Sequence, residues 1–345
     1  MKKTNAFVVI ATIIMTIFCV SCQKEPGGSK SYYYELSYSI FFPATHTQTK
    51  TAQTWADEIS KRTNGAVKIN IFPGGTLTNA NECYDGVVRG ISDLGMSCFS
   101  YTRGRFPIME AVDLPLGYSD GISATEIANE YYETMKPKEL NDVKVLYVHA
   151  HGPGLLHTKI PVRKLEDLKG MKVRSTGLSA SVVEVLGGIP IAMSQGATYE
   201  SLQRGVVEGT FTPIETMKDW RQGEVVKHTT DCKSVGYTTT MFVVMNLKKW
   251  DALPDDIKKI FTEVSSEWIN LHGKAWDTAD ILARDYVKSL GNEIIQLPEA
   301  ESLRWAKTVE PVIANYVNEA NKKNLPGNKA VDVLKKLITK HRKQR

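Results

Sequence analysis

Between Pro254 and Leu290 the chain reads PDDIKKIFTEVSSEWINLHGKAWDTADILARDYVKSL, with no internal proline and Gly273 as its weak point. Helical spacing kept up along this run would give a rod of roughly 50 Å, at 1.5 Å per residue. A rod of that length exceeds one ordinary α/β lobe. Either it lies along two lobes, or it bends near His272-Gly273 into two helices.

The rest of the chain supplies material for two lobes. YYYELSYSIFF is an apolar-aromatic strand ending at Pro43, and THTQTKTAQTWADEISKRTNG has helical spacing, with Trp55 and Ile59 on one face and Gly65 as its stop. AVKINIFP alternates up to PGG, NANECYDGVVRG reads as a short helix, and ISDLGMSCF as a buried strand. Such alternation predicts a parallel sheet with helices on its faces, and ligands at the carboxyl ends of its strands. FFPATH, IFPGG and SCFSYTRG then share one rim. A second series follows: strands in VKVLYVHAHG, GMKVR, IPIAMS and VVEGTFTP, with helices in SASVVEVLGG and TYESLQRG. YTTTMFVVMN, a long β-rich run, is placed to pass between the halves. The expected partition is lobe I from 32–150 plus about 238–275, and lobe II from 151–237 plus about 276–340, with a cleft between them.

At the N-terminus Lys2 and Lys3 precede the apolar run AFVVIATIIMTIFCV, a secretory signal over residues 1–21 rather than a membrane span. CVSCQKEPGG resembles a bacterial lipobox, with Cys22 as the acylated residue, although Cys19 stands where leucine is usual. Ordinary cleavage without a lipid is the alternative. Residues 22–31 then read as a flexible tether, polar with a Pro-Gly-Gly turn. The formal net charge of +5 falls to +3 once residues 1–21 are removed, too mild to argue for nucleic acid. The basic tail KKLITKHRKQR reads as a solvated helix end.

Signatures of nucleotide binding and hydrolysis are missing: the sequence has no GxxxxGK[ST], no GxGxxG after a strand, no GxSxG and no HExxH. HAHGPGLLH brings His149, His151 and His157 together in sequence, and three imidazoles could hold zinc. No acid or cysteine sits at ligand spacing nearby, so neutral hydrogen-bond donors to a ligand or structural histidines are the expectation. No cofactor is expected. Cys83, Cys98 and Cys232 fit no zinc or redox spacing; one disulfide at most is available, and buried thiols are an equal reading. More pointed is EDLKGMKVRS, where a turn breaks at Gly170 and a short alternating strand ends on Arg174. A guanidinium there pairs with a structural carboxylate or awaits an anionic ligand.

Five blocks resemble, in order, those of the DctP-type substrate-binding proteins of TRAP transporters: FPGGTLTNANECYDGVVRGISDLG, VDLPLGYSD, LEDLKGMKVR, ATYESLQRGVVEG and MNLKKWDALPDD. They run from about residue 36 to 325. The resemblance implies an α/β, two-lobed periplasmic-binding-protein fold, type II-like, that closes on its ligand by hinge motion, with a long helix spanning both lobes. It implies capture of a small organic acid and delivery to a membrane permease driven by an ion gradient. The family's carboxylate-clamping arginine falls on Arg174. Thr212, in GTFTP, stands where relatives often carry asparagine, and Ala197 where they often carry glutamate. Histidines replace a frequent second arginine before KIPV, which favours one carboxylate on an apolar or aromatic body. Phe42, Tyr101, Met193 and Phe242 are the expected walls, with His151 beside them. Two other readings stay open: a receptor that signals to a partner instead of a permease, and a metal-dependent enzyme using the three histidines.

Overall fold

The aromatic run after Tyr33 forms β1 (Tyr34–Ile40), whose residues Leu36, Tyr38 and Ile40 face inward at the two-residue period of a strand. The computed structural model describes residues 33–343, so the signal segment 1–21, Cys22 and the tether 22–31 lie outside the described residues. Helix α1 (Thr47–Arg62) is opened by His46, whose Nδ1 accepts from the Gln48 amide at 3.1 Å, and carries Lys61 and Arg62 in its last turn. Its buried face holds Ala52, Trp55, Ala56 and Ile59. After it come β2 (Val67–Phe72), α2 (Cys83–Arg89), β3 (Leu94–Cys98), α3 (Gly121–Met135) and β4 (Val143–Ala150).

The next stretch holds β5 (Leu155–Thr158), β6 (Lys172–Ser175), α4 (Leu178–Val185), β7 (Ile189–Ala192) and α5 (Thr198–Gln203). It continues with β8 (Gly209–Thr212), α6 (Thr216–Asp219) and β9 (His228–Asp231). The chain then returns as β10 (Thr240–Asn246) and α7 (Leu247–Asp251). It ends with α8 (Asp255–Ser289), β11 (Glu293–Gln296), α9 (Glu299–Thr308), α10 (Glu310–Lys322) and α11 (Gly327–Lys343).

Two sheets result, in the orders β2-β1-β3-β10-β4 and β11-β9-β5-β8-β6-β7. They are mixed rather than parallel as expected. β10 runs antiparallel to β3 and β4, and β5 antiparallel to β8 and β9. The reason is topological. β4 leaves the first sheet at the rim where β1 and β3 end, and β10 re-enters from that rim. A strand entering from the cleft must run against strands that finish there. β5, β9 and β11 were not foreseen: each has four residues, and His-Thr-Thr-Asp in β9 carries no apolar alternation.

Helix α8 is continuous over 35 residues, about 52 Å at the usual rise. Gly273 does not break it. A Cβ there would stand 2.8 Å from the Ile122 Cα, so this glycine lets α8 and α3 approach closely. Phe261, Val264, Trp268 and Trp276 of α8 join the core of the first sheet with Trp55 and Tyr38. Farther along, Ala283 and Val287 join a second core with Leu155, Leu202 and Met217. One helix therefore lies against both lobes.

The basic tail is less solvated than expected. α11 packs on α3; His341 sits 2.8 Å from Glu130 and 3.3 Å from Glu126, and Arg342 donates to the Gly117 carbonyl at 2.6 Å. Cys83, Cys98 and Cys232 are buried free thiols. Among the described residues no helix is long and apolar enough to cross a membrane.

Candidate functional site

Strands β1, β3, β4, β6 and β8 all finish toward the space between the sheets, and the residues at or just after those ends line one cavity. Phe41 and Phe42 follow β1, Tyr101 follows β3, His151 follows β4, Arg174 lies in β6 and Thr212 closes β8. Met241 is the second residue of β10, and Trp276 projects from α8.

Arg174 is held by strand alternation. Val173 is buried, Lys172 is exposed, and Arg174 sits in register with Ile191 of β7 and Thr210 of β8. Its guanidinium is only 3% exposed; Nε donates to the Met193 carbonyl at 3.1 Å, and Nη2 has no partner. Among the described residues no carboxylate pairs with it. A buried cation left in that state is costly unless an anion completes it. Three further buried polar atoms on the same cavity also lack aligned partners: Gln195 Nε2, Glu215 Oε2 and Trp220 Nε1.

The walls are aromatic. Phe41 and Phe42 have ring centroids 3.9 Å apart, Tyr101 meets Phe41 edge-on at 5.5 Å, and Trp220 stacks on Phe41 at 6.1 Å. Trp276 meets Phe42 edge-on at 5.8 Å. Tyr101 also bridges the cleft, its hydroxyl accepting from the Gln195 amide at 3.1 Å; burial drives its phenol far above the ordinary range.

The three histidines do not converge as metal ligands. In His151, Nδ1 donates to the Gly152 carbonyl at 2.5 Å, and burial, aided by the Arg174 charge, lowers its pKa to about 4. That tautomer leaves Nε2 as an acceptor, so the expected hydrogen-bond donor to a ligand is corrected to an acceptor. His149 Nδ1 accepts from Trp276 Nε1 at 3.1 Å, and its ring stacks on His272 at 4.6 Å. His157 is bound on both nitrogens, to Thr229 Oγ1 at 2.9 Å and the Thr212 carbonyl at 3.1 Å, and burial takes its pKa down to about 3. It is a pin between strands.

A different cluster spans the cleft. His46 Nε2 lies 3.1 Å from Glu215 Oε2, and Asp219 Oδ2 accepts from the Thr47 amide at 2.9 Å and the Thr47 hydroxyl at 2.7 Å. Asp280 Oδ1 in turn accepts from the Glu215 amide at 3.1 Å. Burial raises Glu215 above the usual carboxylate range; burial and then the Glu215 charge take Asp280 up to about 8. His46, Glu215 and Asp219 present ligand atoms within 4.8 Å of one another, the group among the described residues with metal-binding spacing. Asp219 already spends its oxygen on the start of α1.

Of the expected walls, Phe42 and Tyr101 line the cavity, as do Arg174, His151 and Thr212. Met193 contributes its backbone carbonyl, while its side chain packs with the core around Leu202 and Met217. Phe242 is corrected: it faces the opposite side of β10, against Tyr84 at 5.4 Å and Phe99 at 5.3 Å, and its neighbour Met241 faces the cavity. Ala197 is exposed, away from the lining. Sequence reading missed Phe41, Gln195, Glu215, Trp220 and Trp276. PIETMKDW directly after the β8 strand end was the available signal for two of them.

The family profile described as bacterial extracellular solute-binding protein, family 7 (DctP) matches residues 38–320. The 2,3-diketo-L-gulonate-binding periplasmic protein YiaO of Escherichia coli K12 is 25% identical over 338 residues, covering 95% of this chain and 97% of its own. A TRAP solute-binding protein of Rhodoferax ferrireducens T118, solved with copurified benzoate, superimposes with a TM-score of 0.85 at 26% identity, covering 90% of this chain and 98% of that one. A marine-metagenome TRAP solute-binding protein specific for aromatic acid ligands, solved with 3-hydroxybenzoate, also scores 0.85, at 28% identity over 90% of this chain and 99% of that one. With an unpaired arginine at a strand end, two sheets around an aromatic cleft and one helix along both lobes, the chain belongs to the DctP family of extracellular solute-binding proteins that serve TRAP transporters.

Proposed function

We propose that this chain captures a small monocarboxylate with an aromatic body, and that Arg174 holds the carboxylate. The observation that carries the reading is the Arg174 guanidinium: 3% exposed, without a carboxylate partner among the described residues, one nitrogen unsatisfied, on a cavity walled by Phe41, Phe42 and Tyr101. A planar fork of N–H donors matches a carboxylate, and exclusion of water strengthens the pair. Flat aromatic walls accept a flat ring. Benzoate and 3-hydroxybenzoate in the two solved relatives point the same way.

Capture proceeds by closure of the lobes, expected as 32–150 with about 238–275 and 151–237 with about 276–340; we reassign α11 to the first because it packs on α3. The Tyr101–Gln195 and Thr47–Asp219 bonds form on closure. The loaded protein hands its acid to the TRAP permease subunits in the membrane. Residues 1–21 direct export, and Cys22 carries a lipid that keeps the protein at the membrane surface outside the cytoplasm. No catalytic set is assigned; the site binds and releases.

The test is a thermal-shift and calorimetry screen of the mature protein, unfolded and refolded to strip carried ligand, against aliphatic, dicarboxylic and aromatic acids beside Arg174→Ala. A ligand at 100 times its dissociation constant adds about 2.7 kcal/mol of stability. The expected result is a shift with aromatic monocarboxylates that Arg174→Ala abolishes. Equal shifts in both proteins would remove the clamp.

A further inference from the structure

The cavity has a second polar pole. Glu215, 2% exposed, lines it, with Oε2 lying 3.1 Å from His46 Nε2 but off the axis of a hydrogen bond, so that neither atom has an aligned partner. Trp220 lines the same end: its ring is 5.8 Å from that of His46, and its buried Nε1–H donates to nothing. Arg174 and Glu215 both line the cavity and form no ion pair with each other. Phe41 and Phe42 stand beside the second pole, Phe41 stacked on Trp220 and Phe42 on His46 at 4.1 Å.

A group that completes this pole must both accept, from the Trp220 indole, and donate, toward the Glu215 carboxyl. An ammonium only donates and leaves the indole unsatisfied. A second carboxylate only accepts and meets Glu215 and Asp280, two carboxyls already crowded together by burial. A hydroxyl does both. We infer that Glu215 and Trp220 select a ring hydroxyl, so that the ligand is a hydroxylated aromatic monocarboxylate in preference to the bare one. This rests on the carboxylate reading above and adds to it a specificity determinant for the ring substituent. His46 acts as a positioning residue, stacked on Phe42 and holding the Glu215 carboxyl in place.

The experiment measures dissociation constants of the refolded mature protein for benzoate, 3-hydroxybenzoate and 4-hydroxybenzoate, in wild type, Trp220→Phe, Glu215→Leu and Arg174→Ala, with and without EDTA. The wild type should bind one hydroxybenzoate about tenfold more tightly than benzoate, the scale of one good hydrogen bond. The ratio should fall several-fold in Trp220→Phe, which keeps the ring and removes the donor, and approach one in Glu215→Leu. A purely structural latch would weaken all three acids alike and leave the ratio unmoved, which would overturn the inference. So would equal binding of the three acids by wild type, with the carboxylate reading intact provided Arg174→Ala still abolishes binding. Tighter binding of an aminomethylbenzoate would replace the hydroxyl with a cation. A preference that EDTA abolishes would assign recognition to a metal held by His46, Glu215 and Asp219. If Glu215→Leu does not fold, the wild-type ratio and Trp220→Phe decide. If wild type binds none of the acids, both readings fall together.

Discussion

Asp219 tests whether closure is part of the affinity. Its Oδ2 takes two hydrogen bonds from Thr47 at the first turn of α1, at 2.9 and 2.7 Å, and it reaches them from the other lobe. Its side chain is 10% exposed, so the pair is shielded but not dry. Hydrogen bonds to a charged group net about 1.5–3 kcal/mol each when buried, and the residual exposure and flexible geometry reduce the sum. About 2 kcal/mol is the working figure for Asp219→Ala, which is about 30-fold in a dissociation constant. The cost falls on the closed state alone, because open lobes leave Thr47 and Asp219 to water. Titration calorimetry with whichever acid binds should therefore show the dissociation constant rising by that factor, while the melting temperature of the ligand-free protein stays put. A dissociation constant within twofold of wild type would refute the closure argument. An equal drop in melting temperature with and without ligand would also refute it, by making the contact structural in both states.

Gly273→Ala should destabilise the protein by about 1–3 kcal/mol, since overpacking against backbone outweighs the gain of about 1 kcal/mol in helix propensity; the added Cβ would stand 2.8 Å from the Ile122 Cα. Urea midpoints check this, and a neutral or stabilising change would show that α3 and α8 can part at no cost. Asp280, held up to about 8 by burial, gives a pH dependence of definite sign. Its unfolded value is about 3.9, so between pH 4 and 8 the folded state keeps a proton that the unfolded state has lost. Its contribution therefore falls as pH rises across that window. Asp280→Asn should flatten the decline between pH 5 and pH 8 in urea denaturation, and an unchanged slope would place the titration elsewhere.

Much of the frame was legible because its signals are local. The 37-residue run from Pro254 to Leu290, with no internal proline, names a long helix, and alternating segments name two α/β lobes. Only the significance of Gly273 had to wait, since a glycine that loosens a helix and one that admits a neighbouring helix read the same in one dimension. Strand direction was not legible, because nothing in Thr240–Asn246 says from which side the chain enters the sheet. Facing was half legible. Choosing Phe242 over Met241 is an error of one residue, and in a strand one residue exchanges the faces. Both neighbours are apolar, so hydrophobicity could not arbitrate between a wall and a core position.

Arg174 and Glu215 separate what a sequence can disclose about a site from what it cannot. Both are charged residues with 3% or less of their surface exposed, and both line the cavity. Arg174 conflicts with its own surroundings: a guanidinium ending a strand of alternating burial has no local reason to be there, and such conflicts mark function. Glu215 carries no conflict on the page. An acidic residue two positions after a proline and just before α6 has an ordinary use at the positive end of a helix, and nothing asks for more. Its unusual state comes first from burial, and its neighbours His46, 169 positions earlier, and Asp280, 65 later, are brought around it by the fold. The proposed carboxylate clamp is thus written into one strand, whereas the proposed selecting end of the site exists only when both lobes and the long helix meet.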